Sequence, residues 1–164
     1  MTAIAASYHD RVNVLQGMIP ADASPFDRPE WFALLAERKP ALLALASDGE
    51  HSAALPLTRA NGRLEPLTHW YSFTWRQFAP ISFEGEHLLT SLARDLRRQS
   101  HRVTLWPIPD EDGSATRLET AFRSAGWKVY REQCDVNHVL AVKGRSFTEY
   151  WAARPGRMRT TLKR

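Results

Sequence analysis

Between positions 70 and 78 the chain carries five aromatic rings, Trp70, Tyr71, Phe73, Trp75 and Phe78, at the start of the longer stretch WYSFTWRQFAPISF. Ligand pockets are mostly apolar, with a few placed polar groups that fix orientation. Tyr71, Ser72 and Arg76 supply such groups, so Trp70, Tyr71, Ser72, Phe73, Arg76 and Phe78 are the candidate substrate-binding residues. The competing reading is that these rings cover one end of a sheet.

The other chemistry-bearing residues do not assemble into a motif. The six histidines (9, 51, 69, 87, 101 and 138) show no ligand-like spacing among themselves or with Cys134, so no metal site is expected. His69 and His138 fall near expected strand ends, where a general base would be useful, but nothing in the sequence pairs with either. Asp110, Glu111 and Asp112 read as a solvated turn before a helix. Cys134 has no neighbouring base and reads as a small buried apolar group. Trp31 and Phe32 read as core, as do Trp106 and Trp127. The catalytic residues are left unassigned.

The elements that must position these groups follow from periodicity and punctuation. Residues 1–24 are weakly patterned, with Val12, Val14 and Leu15 as a possible first strand. At Phe26-Asp27-Arg28-Pro29-Glu30-Trp31 the sequence predicts a helix start, with Asp27 as N-cap, Glu30 at the capping-box position and Phe26 against Trp31 as a staple. The helix runs to about Arg38, before Pro40. Residues 41–47, 52–58 and 64–70 then read as an antiparallel meander, its second turn built on Asn61-Gly62. A helix over 85–99 carries Leu88, Leu92 and Leu96 on one stripe. A strand over 103–108, a helix over 114–125 ended by Gly126, and strands over 127–131 and 136–142 complete the body. Hairpin-length connections exclude a doubly wound parallel fold. The expected class is α/β in the α+β sense, a mixed sheet with helices on both faces, in which the strand at 103–108 lies next to the meander.

Charge is unevenly placed. The formal net charge is +4, yet residues 143–164 carry seven basic groups against Glu149, which leaves residues 1–142 at −2. A nucleic-acid surface is a basic face built from several elements, so nucleic acid is not an expected partner, and Arg154, Arg157, Arg159, Lys163 and Arg164 read as a solvated basic helical linker. The longest apolar run, Ala41–Ala46, is too short to span a bilayer, and the N-terminus lacks the charged and apolar regions of a signal peptide. The expected location is cytoplasmic, with no transmembrane segment.

The element order resembles the GNAT acyltransferase fold. The segments SPFDRPEWFALLA, LALASDGEHSAALPLTRANGRLEPL, WYSFTWRQFAPI, SAGW and GRSFTEYWAARPGRMRTTLKR are similar to the N-terminal half of GNAT-type proteins related to the cellulose-biosynthesis CelD acetyltransferases, and in plan to the tandem Fem-type aminoacyltransferases. The resemblance covers the chain from about residue 24. It implies a GNAT-like domain over 25–145, preceded by the segment 1–24, and a basic helical linker over 146–164 that leads to a second GNAT-like domain, the chain itself being a truncated piece. It implies an N-acyltransferase that uses acetyl-CoA or another acyl-CoA as co-substrate, with a small-molecule, polysaccharide or peptide amine as acceptor. The alternative is a non-catalytic GNAT-like scaffold or interaction module. In such domains a (Q/R)xxGx(G/A) loop holds the cofactor pyrophosphate on backbone N–H groups at a helix N-terminus. Here that place reads RQFAPISFEGEH, with Pro80 lacking a donor and Glu84 and Glu86 bringing like charge, so no cofactor is expected to be bound by this half.

Overall fold

A computed structural model of the chain describes residues 3–19, 23–133 and 144–156. The chain divides into two units, Met1–Glu132 and Gln133–Arg164. The first begins with strand β1, Ala5–His9, followed by a 3-10 turn at Val12–Leu15. The first strand therefore lies earlier than the Val12-Val14-Leu15 alternation predicts. Val12 and Leu15 are both buried, which is the i, i+3 spacing of one face of a tight helical turn.

A second 3-10 turn, Pro25–Asp27, is capped by Ser24, whose Oγ accepts the N–H of Phe26. Helix α1, Pro29–Ala36, starts with proline at its first position, where the missing N–H costs no helical bond. Asp27 is thus not its N-cap: Arg28 holds that position and makes no side-chain cap. The expected contact of Phe26 with Trp31 is present, with ring centroids 5.4 Å apart.

Strands β2, Ala41–Ser47, β3, Ser52–Ala60, and β4, Arg63–Pro66, form the expected meander, except that its third strand ends at Pro66 instead of running over 64–70. With β1 they make a four-stranded sheet in the order β1-β2-β3-β4 that is antiparallel throughout, not the mixed sheet expected, because the one parallel pairing among the described residues is an isolated bridge. The β3–β4 turn has Asn61 at φ 50° and Gly62 at φ 75°, the left-handed pair that the Asn-Gly dipeptide predicts. In β3 the consecutive residues Ala53, Ala54 and Leu55 are all fully buried. Consecutive strand residues face opposite sides, so the centre of the sheet is covered on both. Helix α2, Phe83–Gln99, packs against β1, β2 and β3, and α3, Ser114–Ser124, packs on α2. Tyr8 of β1 donates its O–H to Asp95 Oδ2 of α2 at 2.6 Å; burial, then this bond, pushes the phenol pKa upward.

The strand expected at 103–108 is reduced to one parallel bridge, Leu64 with Val103. Leu64 donates its N–H to Arg102 O, and Thr104 donates to Leu64 O. Beyond it the chain leaves the sheet at Trp106 and a cis Pro107. Trp106 is partly exposed and so is not the packed strand residue expected. Residues 127–133 also form no strand; Trp127 lies on Phe122, its Nε1–H donating to Ala93 O at 2.7 Å, which ties the segment to the helices. The expected strand at 136–142, with Cys134 and His138, and the basic residues 157–164 lie outside the described residues.

In the second unit α4, Phe147–Ala152, starts with a capping box between Ser146 and Glu149. Phe147 and Trp151 stack at 5.8 Å, and the Arg154 guanidinium sits 4.2 Å from the Tyr150 ring centroid. Among the described residues no helix is long and apolar enough to cross a membrane.

Candidate functional site

β4 ends at Pro66, and the following residues run along the part of β3 that β4 does not reach. Phe78 forms an antiparallel bridge with Ala54, exchanging both backbone hydrogen bonds. Trp75 is fully buried and donates its N–H to Pro107 O. Between these anchors and β4 lies the aromatic loop.

The loop sorts the candidate residues into two groups. Trp70, Tyr71 and Phe73 are 85%, 65% and 77% exposed, whereas Ser72 and Phe78 are buried. Phe78 packs edge-on against Phe32 in the core, 5.8 Å between centroids, and so does not join the displayed rings. Ser72 explains why those rings are held outward. Its N–H donates to His69 O, and its Oγ accepts from His69 N–H at 3.0 Å and from Trp31 Nε1–H at 3.1 Å. The His69 and Tyr71 rings stack at 5.5 Å, with Tyr71 N–H directed at His69 Nδ1. One buried hydroxyl thus fixes the turn from which three aromatic side chains project.

Arg76 lies between two carboxylates. Its Nε is 2.9 Å from Asp27 Oδ2, close enough to pair but not aligned as a hydrogen bond, and its Nη1 bonds Asp112 Oδ2. Asp27 is only 2% exposed, and burial raises its pKa despite the attraction of Arg76, with Asp112 adding to the rise. Asp112 moves the other way: burial raises it, but hydrogen bonds from Ser114 outweigh burial and hold it below the ordinary value. Asp27 Oδ1, Thr74 Oγ1 and Gln77 Oε1 are buried without a hydrogen-bond partner. Arg76 is therefore a charged strut between the turn before α1 and the turn before α3.

Sequence reasoning assigned Asp27 to a cap, Asp112 to a solvated turn and Trp31 to the core. Trp31 is half-buried and lines an open depression of about 400 Å³ with Pro25, Arg28, Glu30 and Leu34. Phe26 joins this depression to the loop, its ring meeting Trp31 on one side and Phe73, at 5.3 Å, on the other. The neighbouring Phe26-Trp31 spacing was the available signal, and it pointed to a helix staple.

The groups at the N-terminus of α2 decide whether a pyrophosphate fits there. Ser82 caps it, its Oγ accepting from Gly85 N–H. A Cβ on Gly85 would collide with the Pro80 carbonyl oxygen, so a carbonyl already occupies the close approach that a glycine opens there. That oxygen accepts from Arg117 Nη2 at 2.6 Å, and Arg117 Nε bonds Glu86 Oε1 at 2.7 Å. Ile81 and Phe83 are exposed beside Glu84. These groups place acceptor oxygens and carboxylates where phosphate oxygens would need donors, and the residues do not fit the group. Among the described residues no three His, Cys, Asp or Glu side chains converge as a metal site.

The chain matches no family model, no curated protein and no solved structure.

Proposed function

We propose that the chain is the acceptor-side half of a GNAT-type N-acyltransferase, which moves an acyl group from a CoA-type donor to an amine. The observation that carries this reading is the order of pairing: an antiparallel meander, a long helix, then a segment that returns parallel to β4 at Val103 before a further helix. A change from antiparallel to parallel pairing across one helix is how a GNAT crossover begins. Acyl transfer needs a deprotonated amine held against the thioester carbon and a donor for the developing oxyanion. In this proposal the loop of Trp70, Tyr71 and Phe73 binds and orients the acceptor. A second GNAT-like domain supplies the cofactor site that the N-terminus of α2 does not fit.

A non-catalytic scaffold is the competing role, and the closed N-terminus of α2 suits it equally. The two separate by amide-shift mapping of the chain with amine ligands of three classes: a simple alkylamine, an amino-sugar oligomer and a peptide with a free amine. Saturable shifts at His69–Phe73 are expected with at least one class. Absence of any response there would favour the scaffold.

A further inference from the structure

Helix α4 carries an aromatic face that no core absorbs. Phe147, Tyr150 and Trp151 stand at i, i+3 and i+4, which places them together on one side of a helix, with Thr148, Glu149 and Ala152 on the other. The rings meet: Phe147 and Trp151 stack with 14° between their planes, and Phe147 lies 6.4 Å from Tyr150 between centroids. No residue of the helix is buried, and Phe147 is 74% exposed. A helix of six residues is too short to be stable by propensity, so it gains from any surface that covers this face.

Charge selects that surface. Residues 143–164 carry seven basic groups against Glu149 alone. The Glu149 carboxylate is turned back on the helix start, where Oε2 accepts from Ser146 N–H and Ser146 Oγ–H at 2.8 Å each. Arg154 reaches over Tyr150 and pairs with no carboxylate among the described residues. Tryptophan and tyrosine settle at the level of lipid headgroups, and arginine and lysine are drawn to anionic ones. An aromatic helix face among basic groups is therefore the composition of a segment that lies in a bilayer interface without crossing it. Nucleic acid fits less well, because bases need open ring faces to stack on, and Phe147 and Trp151 already stack on each other.

We infer that α4 docks on an anionic lipid surface, with Phe147, Tyr150 and Trp151 entering the headgroup region and Arg154 at the phosphates. The site belongs to the second unit alone. It does not rest on the acyl-transfer reading.

The test is sedimentation of the full chain with sucrose-loaded vesicles, of phosphatidylcholine alone or with roughly 30% phosphatidylserine at about 0.1 M salt. Partitioning is expected to be about tenfold stronger on the anionic vesicles. Phe147→Ser removes an exposed ring without touching a core, and should weaken that binding about fivefold. A nitroxide-labelled lipid in bicelles of the same composition should broaden the ring resonances of Phe147, Tyr150 and Trp151 more than those of Trp70 and Tyr71, which are at least as exposed but lie on the aromatic loop. Equal partitioning on neutral vesicles, an unweakened Phe147→Ser variant, or stronger broadening at Trp70 and Tyr71 would each overturn the assignment. Binding to poly(U) as tight as to the anionic vesicles, and weakened in the same way by Phe147→Ser, would give the face to nucleic acid instead.

Discussion

The indole N–H of Trp75 donates to the carbonyl of Pro56 at 2.9 Å, and the same oxygen accepts the N–H of Leu67. Proline in an inner strand lacks the donor that a ladder needs. In β3 it stands where β4 has ended at Pro66, so the missing N–H leaves no gap in a ladder. Trp75 fills the vacated edge and ties the far end of the aromatic loop to the sheet. Trp75→Ala should destabilise the chain by about 3–5 kcal/mol, the usual range for a large buried aromatic. Trp75→Phe should cost less, because Leu67 still satisfies Pro56. Urea denaturation of both variants checks the order.

Ser72 holds the near end. Ser72→Ala removes the acceptor shared by His69 N–H and Trp31 Nε1–H. Leaving such donors unpaired costs about 1–3 kcal/mol when they are buried; Trp31 is only half-buried, so the lower part of that range is expected. Amide exchange at 69–73 should accelerate more than exchange in β2 or β3. Uniform acceleration across the sheet would show that the serine supports the whole core instead of the loop.

Asp27 gives a pH signature of unusual sign. Its pKa is raised in the folded chain, first by burial and then by Asp112, against the pull of Arg76. The folded state then holds more protons than the unfolded state in the window above the ordinary aspartate pKa, so this group's contribution to stability falls as pH rises through that window. Most resolved carboxylates here, Asp48, Glu84, Asp110, Asp112 and Glu149, are lowered and contribute the opposite trend. Asp27→Asn should therefore gain stability relative to the parent chain as pH increases from about 4 to about 7. Paired chemical denaturation across that range measures the difference, and a constant or shrinking gap would contradict the assignment.

The meander was legible because its signals are local: apolar runs bounded by Asp48-Gly49 and an Asn-Gly pair that demands positive φ. The helices α2 and α3 were legible from their leucine stripe and from Gly126. β1 was not, because Ala5–His9 has no apolar alternation and becomes a strand only through its register with Leu43–Ser47. The candidate site was half legible. Composition marked the aromatic loop, but which rings project depends on the long-range bonds Trp31–Ser72 and Trp75–Pro56. The Asp27–Arg76–Asp112 group joins residues far apart in sequence, and no spacing rule reaches it.

The last prediction follows from the N-terminus of α2. A pyrophosphate held at a helix start needs free N–H donors, close backbone approach and no opposing charge. Here the Gly85 N–H is taken by Ser82 Oγ, and the Pro80 carbonyl fills the space above Gly85. Glu84 and Glu86 stand in the first turn, and a hydrogen bond with Ser82 keeps Glu84 ionised below its usual range. Arg117 is the nearby cation, but its Nε is bonded to Glu86 and its Nη2 to Pro80 O. Micromolar binding would need on the order of 8 kcal/mol, and these groups offer repulsion instead. Calorimetry of the 164-residue chain with acetyl-CoA should show no saturable heat at micromolar concentrations, and Glu84→Gln with Glu86→Gln should not create any, because the Pro80 carbonyl remains. A micromolar dissociation constant for the unaltered chain, or acetyl transfer to an amine by the chain alone, would place the cofactor on this unit and refute the acceptor-side proposal.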